Sequence, residues 1–315
     1  MRRLLLVLLG LVLAFVFAVP PAFAQFVPPQ FVRQFPTIAP FPDRIVIDPS
    51  GRLFVLDTIE RIQSYTLMGD PLESWGTYGT GDGEFGARPQ GLALDAAGNV
   101  YATDTGNDRV EVFDAHGTFL RQWGSTGSTN AHFNLPQGIT IAPDGLVYVS
   151  DRGNSRVQVF DGNGNYLRRW ATTGGCAQIA HDAAGHLWMS DVDFQRVREW
   201  SPTGSLLLAF GDAGSDAGLF SYPWGMAFDS GGRLYVAELG NDRIQVFSPT
   251  GTYLGQWGTE GTGPGQFRQP MGLAFDADDD LYVTDNGNSR VQVFRTQAVT
   301  PTKVSTWGRL KVLYH

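Results

Sequence analysis

Three ten-residue stretches place an acid and a base at one constant spacing: DTGNDRVEVF from Asp104, DRGNSRVQVF from Asp151 and DNGNSRVQVF from Asp285. In each, a carboxylate stands five residues ahead of an arginine, as Asp104/Arg109, Asp151/Arg156 and Asp285/Arg290, with Gly and Asn between them. Glu238/Arg243 repeats the spacing with a longer acid, Asp57/Arg61 is one residue shorter, and Asp191/Arg196 keeps the charges without Gly-Asn. Two chemistries suit such a set. The arginines could form a ring of anion-binding cations, or each could close a bidentate, charge-assisted clamp with its own carboxylate. Catalysis needs one site and not six, so recurrence favours the clamp. The Gly-Asn step is expected to reverse the chain, because both residues tolerate positive φ.

Two further clusters invite a chemical reading. DADDD at 276–280 packs four aspartates, but a calcium loop of the EF-hand type needs Gly at its sixth position and Glu at its twelfth, and those positions are Leu281 and Gly287. A hairpin turn is expected there instead. Cys176 is the sole cysteine; it has no intramolecular disulfide partner and no base at a recognisable spacing, so it reads as a small apolar filler and not as a nucleophile.

The elements that carry these residues repeat. The glycine of each Asp-x-x-Gly-like turn falls at Gly51, Gly98, Gly145, Gly185 and Gly232, with Asp279 in the last copy, giving steps of 47, 47, 40, 47 and 47 residues. The short step lacks seven residues between the third and fourth copies. Within a copy apolar residues alternate with period two, the pattern of strands. In the second copy GLALD, NVYATD, RVEVF and TFLRQWG read as strands a, b, c and d, with DAAG and DAHG as hairpin turns. Four short antiparallel strands repeated six times predict an all-β fold, a six-bladed β-propeller. FVRQF at 31–35 resembles a d strand and is expected to complete the last blade; VSTWG at 304–308 is the rival. Trp75, Trp123, Trp170, Trp257 and Trp307, with Phe35 and Phe210, recur at the end of d, and Phe113, Phe160, Phe247 and Phe294 recur in c. This regularity predicts an interblade core, not a sugar-stacking platform.

Pro-x-Gly (PQG at 89–91 and 136–138, PWG at 223–225, PMG at 270–272), Asp-x-x-Gly, YVSD and GNSRVQVF together resemble NHL repeats over residues 42–308. The resemblance implies a six-bladed propeller that binds other molecules: RNA in tripartite-motif regulators, proteins elsewhere. One branch, the peptidyl-hydroxyglycine amidating lyases, is catalytic and holds zinc with histidines from several blades. Of His116, His132, His181, His186 and His315, only His181 lies in an a strand where a channel ligand could stand. A three-imidazole site is therefore not expected, and no cofactor, metal or catalytic residue is assigned. The lyase or hydrolase reading is the alternative to a binding scaffold.

Specificity should reside where the copies differ. The d–a connectors and b–c loops are expected on one face, the natural binding surface. The residue inside Pro-x-Gly varies as Asp43, Gln90, Gln137, Ala177, Trp224 and Met271, and Arg44 replaces the first glycine. Asp43, Arg44, Gln90, Gln137, Trp224 and Met271 are the candidate ligand-binding residues, lining a polar-aromatic pocket at the channel mouth. The fourth copy departs further, with Asp193 and Phe194 in place of Gly and Asn.

Bulk properties bound the setting. Arg2 and Arg3, the apolar run Leu4 to Val19, and Ala22-Phe23-Ala24 form a signal-peptide pattern over residues 1–24 with cleavage near Ala24. The propeller is assigned to 25–308 and a C-terminal tail to 309–315. The chain is expected to be secreted or periplasmic, monomeric and without a membrane span after cleavage. Loss of Arg2 and Arg3 leaves 21 basic against 31 acidic residues, a net charge near −10. Such a field repels phosphate backbones, so the expected ligand is a protein, peptide or glycan and not nucleic acid.

Overall fold

The computed structural model describes residues 26–296; the expected leader, VSTWG at 304–308 with Trp307, His315 and the tail lie outside them. Six four-stranded antiparallel sheets follow one another along the chain. Blade 1 comprises strands Pro42–Ile47, Arg52–Asp57, Ile62–Thr66 and Pro71–Trp75, and blade 2 comprises Gly91–Leu94, Val100–Asp104, Arg109–Phe113 and Phe119–Trp123. Blade 3 runs from Pro136 to Ala171, blade 4 from Cys176 to Phe210 and blade 5 from Pro223 to Trp257. Blade 6 takes Pro270–Phe275, Asp280–Asp285 and Arg290–Arg295 from the end of the domain and Gln30–Pro36 from its beginning. Gln30–Pro36 pairs antiparallel with Arg290–Arg295, so the N-terminal d-like strand completes the last blade as its sequence predicts. Among the described residues helical structure is limited to three single-turn segments in b–c loops, at Thr105–Asn107, Arg152–Asn154 and Asn286–Asn288.

The core explains why the alternation works. Strand b of blade 2, Val100–Asp104, is buried on both faces because successive side chains go to opposite neighbours. Six apolar clusters result, one at each blade junction. Phe54, Leu56 and Ile62 of blade 1 meet Val100, Ala102 and Phe113 of blade 2. The junction that closes the ring joins Ile45, Leu53, Val55 and Tyr65 to Tyr282, Val291 and Val293. The aromatic ladder spans these junctions: Trp75 packs on Phe113, Trp123 on Phe160, Phe210 on Phe247 and Trp257 on Phe294. Each fully buried side chain of this kind contributes about 1.5–3 kcal/mol.

The acid–base pairs are buried clamps. Arg109 Nε donates to Asp104 Oδ2 at 2.7 Å, while its Nη atoms donate to the carbonyls of Thr80, Gly81 and Glu84 in the connector entering blade 2. Arg156, Arg243 and Arg290 repeat this on Asp151, Glu238 and Asp285 and on the carbonyls of their own connectors. All four carboxylates are fully buried. Arg196 reaches Asp191 at 3.0 Å but remains partly exposed.

Two expectations are corrected. Asp57 and Arg61 form no ion pair among the described residues; the loop is one residue too short, and Asp57 instead accepts from Gln63 Nε2 and from the amides of Ile59 and Arg61. Nor do Gly106 and Asn107 supply the left-handed residue of the loop, which is Asp108 at φ 56°, and correspondingly Ser155 and Ser289. Gly106 is required by close approach, since a Cβ there would lie 2.4 Å from the Ala87 amide nitrogen. Asn107 instead bridges Asp104 Oδ2 and the Gly79 carbonyl through its side-chain amide.

Candidate functional site: the axial end and the loop-bearing face

The b–c loops and d–a connectors share one face, tied to each other by bonds such as Gly153 N–H to Asn134 O and Gly287 N–H to Arg268 O. The a strands line the axis, and their first residues form its end on that face. Here the six candidate residues part company. Asp43, Arg44 and Gln137 are buried, whereas Gln90, Trp224 and Met271 are half-buried. Arg44, Trp224, Asp43 and Gln90 come together: the Arg44 guanidinium lies 5.8 Å from the Trp224 ring centre, Trp224 Nε1 donates to Asp43 Oδ1 at 3.3 Å, and Arg44 Nε donates to the Gln90 carbonyl at 3.1 Å. Gln137 holds the Thr103 hydroxyl through its own carbonyl. The side-chain oxygens of Gln90 and Gln137 and Arg44 Nη2 are buried without partners.

Gln178 belongs to this group and was not singled out from the sequence. Its amide donates across the axis to the same Gln90 carbonyl at 3.2 Å. The signal was present: CAQ at 176–178 puts Gln178 at the glycine position of Pro-x-Gly, as Arg44 does in the first copy. Glycine elsewhere lets neighbouring a strands touch; a Cβ at Gly225 would lie 1.9 Å from the Met271 carbonyl oxygen. The two polar replacements stand on blades 1 and 4, opposite each other across the axis. Together with Asp43, Trp224 and Gln90 they fill the axial end at the loop-bearing face.

A concavity on the axis lies beyond that layer. A cavity of about 270 Å³ runs along the a strands to their last residues, Ile47, Leu94, Ile141, His181 and Phe275; of the six candidates only Arg44 lines it, beside Gln178. Many of the residues along it are aliphatic, but Ile45, Leu92, Ile139, Ile179, Met226 and Leu273 pack into the blade-junction clusters, and Thr140 Oγ1 lies 2.8 Å from His181 Nδ1. Burial sets the electrostatics. It raises the Asp43 carboxyl above its usual range against the opposing pull of Arg44, lowers Arg44 to about 10, and lowers the His181 imidazole, favouring its neutral form. Arg44 and Asp43 approach only to 3.7 Å, longer than a charge-assisted hydrogen bond.

The loop-bearing face carries a second feature. Phe41, Arg88, Leu135, Tyr222 and Gln269, each directly before a Pro-x-Gly or its counterpart proline, have left-handed backbones with φ between 51° and 61°. A non-glycine residue there is strained by about 1–3 kcal/mol, and a following proline disfavours helical ψ further. Neighbouring blades hold the conformation: Asp108 accepts from the Leu135 amide, Gln195 from Tyr222 and Asp242 from Gln269. The side chains project outward, with Phe41 47% exposed, Leu135 51% and Tyr222 58%. Phe194 joins them at 54%, stacked under the Arg196 guanidinium.

The remaining reactive groups occupy separate places. Cys176 is buried and its thiol is pushed up to about 12, as suits a filler. Asp276 of DADDD accepts from the amides of Asp278 and Asp280, closing the expected hairpin turn. His116 faces Glu73, His132 faces Thr129, and His186 Nδ1 sits 2.7 Å from Glu199 Oε1, so the described histidines do not converge. Asp182, His186 and Glu199 are the one trio of metal-ligand type among the described residues, and they are already linked to one another and to Trp188 Nε1. No helix among the described residues is long and apolar enough to cross a membrane.

Comparison with known proteins agrees with this architecture. The NHL repeat model matches residues 87–113, 133–160, 220–247 and 267–294. Protein lin-41 of Caenorhabditis elegans is 42% identical over 50 residues, 16% of this chain and 4% of that protein. NHL repeat-containing protein 3 of Mus musculus is 32% identical over 87 residues, 26% of this chain and 25% of that protein. The chain thus spans a quarter or less of these relatives. A streptogramin B lyase structure superposes with a TM-score of 0.61 at 14% identity, covering 84% of this chain and 97% of the other. Virginiamycin B lyase from Staphylococcus aureus gives 0.59 at 17%, covering 84% and 88%. At such identities the likeness shows the fold alone.

Proposed function

This chain is an NHL-repeat β-propeller, and we propose that it is a binding scaffold whose loop-bearing face docks a protein or peptide. One observation carries the reading: five bulky or polar residues persist in a left-handed conformation that glycine would adopt at lower cost, and three of them, Phe41, Leu135 and Tyr222, hold apolar side chains out of the same face. Backbone strain repeated around a ring, with a different side chain at each post, is what a display surface requires. Trp224 and Met271, half-buried at the axial end, supply the centre of that surface, and aromatic anchors ringed by polar groups are the usual core of a recognition patch. Strand-borne positions are rigid, so little ordering entropy is lost on docking. The leader-like run over residues 1–24 supports action in the secreted or periplasmic space; sequencing the exported protein should find Gln25 at its N-terminus.

Peptide display against the intact protein tests the face, with the triple variant Phe41→Gly, Leu135→Gly, Tyr222→Gly as counter-target. Peptides selected on the wild type should bind the variant at least ten-fold more weakly while its melting temperature does not fall. Peptides that bind both proteins alike would remove the ring from the interface.

A further inference from the structure

The loop-bearing face has a gap at blade 4. Five residues separate Trp170 from Cys176, where twelve separate the corresponding residues before blades 3, 5 and 6. In the complete clamps that longer connector caps the arginine. Arg156 Nη1 donates to the Ser128 carbonyl and Nη2 to those of Thr129 and His132, all in the connector entering blade 3. Arg196 has no such cap. Its Nε donates to Asp191 Oδ2 at 3.0 Å, and among the described residues its Nη1 and Nη2 have no hydrogen-bond partner. Both atoms keep solvent-accessible surface, and the side chain is 29% exposed against 6–9% for the four capped arginines. Blade 1 also has a short connector, but there the Ile38 and Ala39 amides tie it to Gln63 and no clamp needs a cap.

We propose that the gap at blade 4 is the anchoring slot for a partner protein, an extended segment of which runs where the connector is missing and seats an Asp or Glu side chain on Arg196. The inference rests on the docking reading above and adds the blade concerned and the chemistry the partner must bring.

Charge selects the acid. In blade 3 Asp151 pairs with one arginine, and two residues along strand c stands the neutral Gln158. In blade 4 that glutamine is replaced by Arg198, so Asp191 is shared by two guanidiniums, at 3.0 and 3.1 Å. Arg198 is buried and its Nη1 is used by the Thr173 carbonyl. Asp193, the other acid of the loop, faces Arg152 at 3.3 Å. One positive charge is left over, on the exposed side of the pair. Main-chain carbonyls alone, as in the other blades, would leave it unmatched. A carboxylate can accept from Nη1 and Nη2 together, the bidentate geometry that suits a guanidinium best.

The surroundings suit a passing chain. Phe194 stands where the asparagine of other loops ties the connector down, as Asn154 Nδ2 does to the Gly127 carbonyl. Its ring is 54% exposed, with the Arg196 guanidinium 4.8 Å from its centre. Tyr222, also exposed, is tied to the same loop through the bond of its amide to Gln195 Oε1. An apolar side chain next to the partner's acid can cover Phe194 and keep water from the ion pair. Asp191 and Asp193 flank the guanidinium and disfavour a dianion such as phosphate.

Selection of a phage-displayed library of random dodecapeptides on the intact protein tests the slot. The selected sequences are then measured by fluorescence anisotropy as capped peptides, which carry no free C-terminus. Binders should share an internal Asp or Glu beside an apolar residue, and changing that acid to its amide should weaken binding by about ten-fold or more. Arg196→Gln, which leaves Asp191 paired with Arg198, should cause the same loss and make the peptide's acid and amide forms bind alike. Phe194→Asn restores the residue of the other loops at an exposed position; it should weaken the same peptides at an unchanged melting temperature, and it keeps the test decisive if Arg196→Gln does not fold. Inorganic phosphate should not displace them. Binders without an acid, equal binding by wild type and Arg196→Gln, indifference to Phe194→Asn, or displacement by phosphate would each overturn the slot. The docking face itself survives those results if the Phe41/Leu135/Tyr222 glycine variant still loses affinity. A library that yields no binder to the wild type would overturn both.

Discussion

The b–c clamps and the axial end are both built from buried arginines and acids, yet they differ in completeness. At the clamp, Arg290 uses Nε on Asp285 and its Nη atoms on Thr262, Gly263, Gln266 and Gln34, leaving no donor idle. At the axis, Arg44 meets one carbonyl and a distant carboxylate, and its Nη2 lacks a partner, as do the side-chain oxygens of Gln90 and Gln137. In the repeated clamps the acid and the arginine satisfy each other and serve the fold. Where the copies diverge, at Arg44, Gln90 and Gln137, buried polar atoms are left without partners. The clamp charges repeat and are paired, whereas Arg44 breaks the pattern of the other blades and keeps an unpartnered nitrogen.

The same substitution at the two places sharpens the contrast most. Arg290→Met should lower unfolding free energy by about 3–5 kcal/mol, because Asp285 and four acceptor groups lose their partner in the interior. Arg44→Met should change it by no more than about 1 kcal/mol, since little pairing is lost there and Asp43 is already pushed toward its neutral form. Chemical denaturation of both variants is the measurement; equal losses would erase the distinction.

Glu111 offers a test inside the clamp set, and the next largest effect. At its position four of the other blades carry glutamine and blade 4 carries Arg198; Gln158, Gln245 and Gln292 each donate to the clamp carboxylate through Nε2. Glu111 has no such proton when ionised. Burial pushes its carboxyl from 4.5 up to about 7, outweighing Arg109, and Oε2 has no partner. Below 4.5 the group is protonated folded and unfolded alike. Between 4.5 and about 7 the unfolded chain ionises first, so the stability present at low pH is lost as pH climbs through this window. Glu111→Gln should remove that slope and raise stability above pH 7 by roughly 1–3 kcal/mol. A pH-independent difference between variant and wild type would refute the protonated-acid account.

The smallest effect is expected on the docking face. Tyr222→Gly should leave stability unchanged or raise it by up to about 1 kcal/mol, as relief of left-handed strain offsets glycine's extra backbone entropy. A clear loss on thermal melting would show that the exposed ring is structural after all.

Blade number, strand order, the closing N-terminal strand and the charge clamps were all legible along the chain, because turn glycines, period-two alternation and an acid five residues from its base are short-range signals written six times over. The failures were short-range too: Asp57/Arg61 lost one residue of loop, and Gly106 is dictated by its approach to Ala87, not by its own φ. Contacts across the axis had no such signal. Arg44, Gln90, Gln178 and Trp224 lie up to 180 residues apart and meet only because six blades closed into a ring. The amino-acid order determined the repeating unit, whose interactions are local and mutually reinforcing. Only the closed tertiary structure decided which unique side chains converge, which polar atoms are left open, and on which side of the axial polar layer the cavity lies.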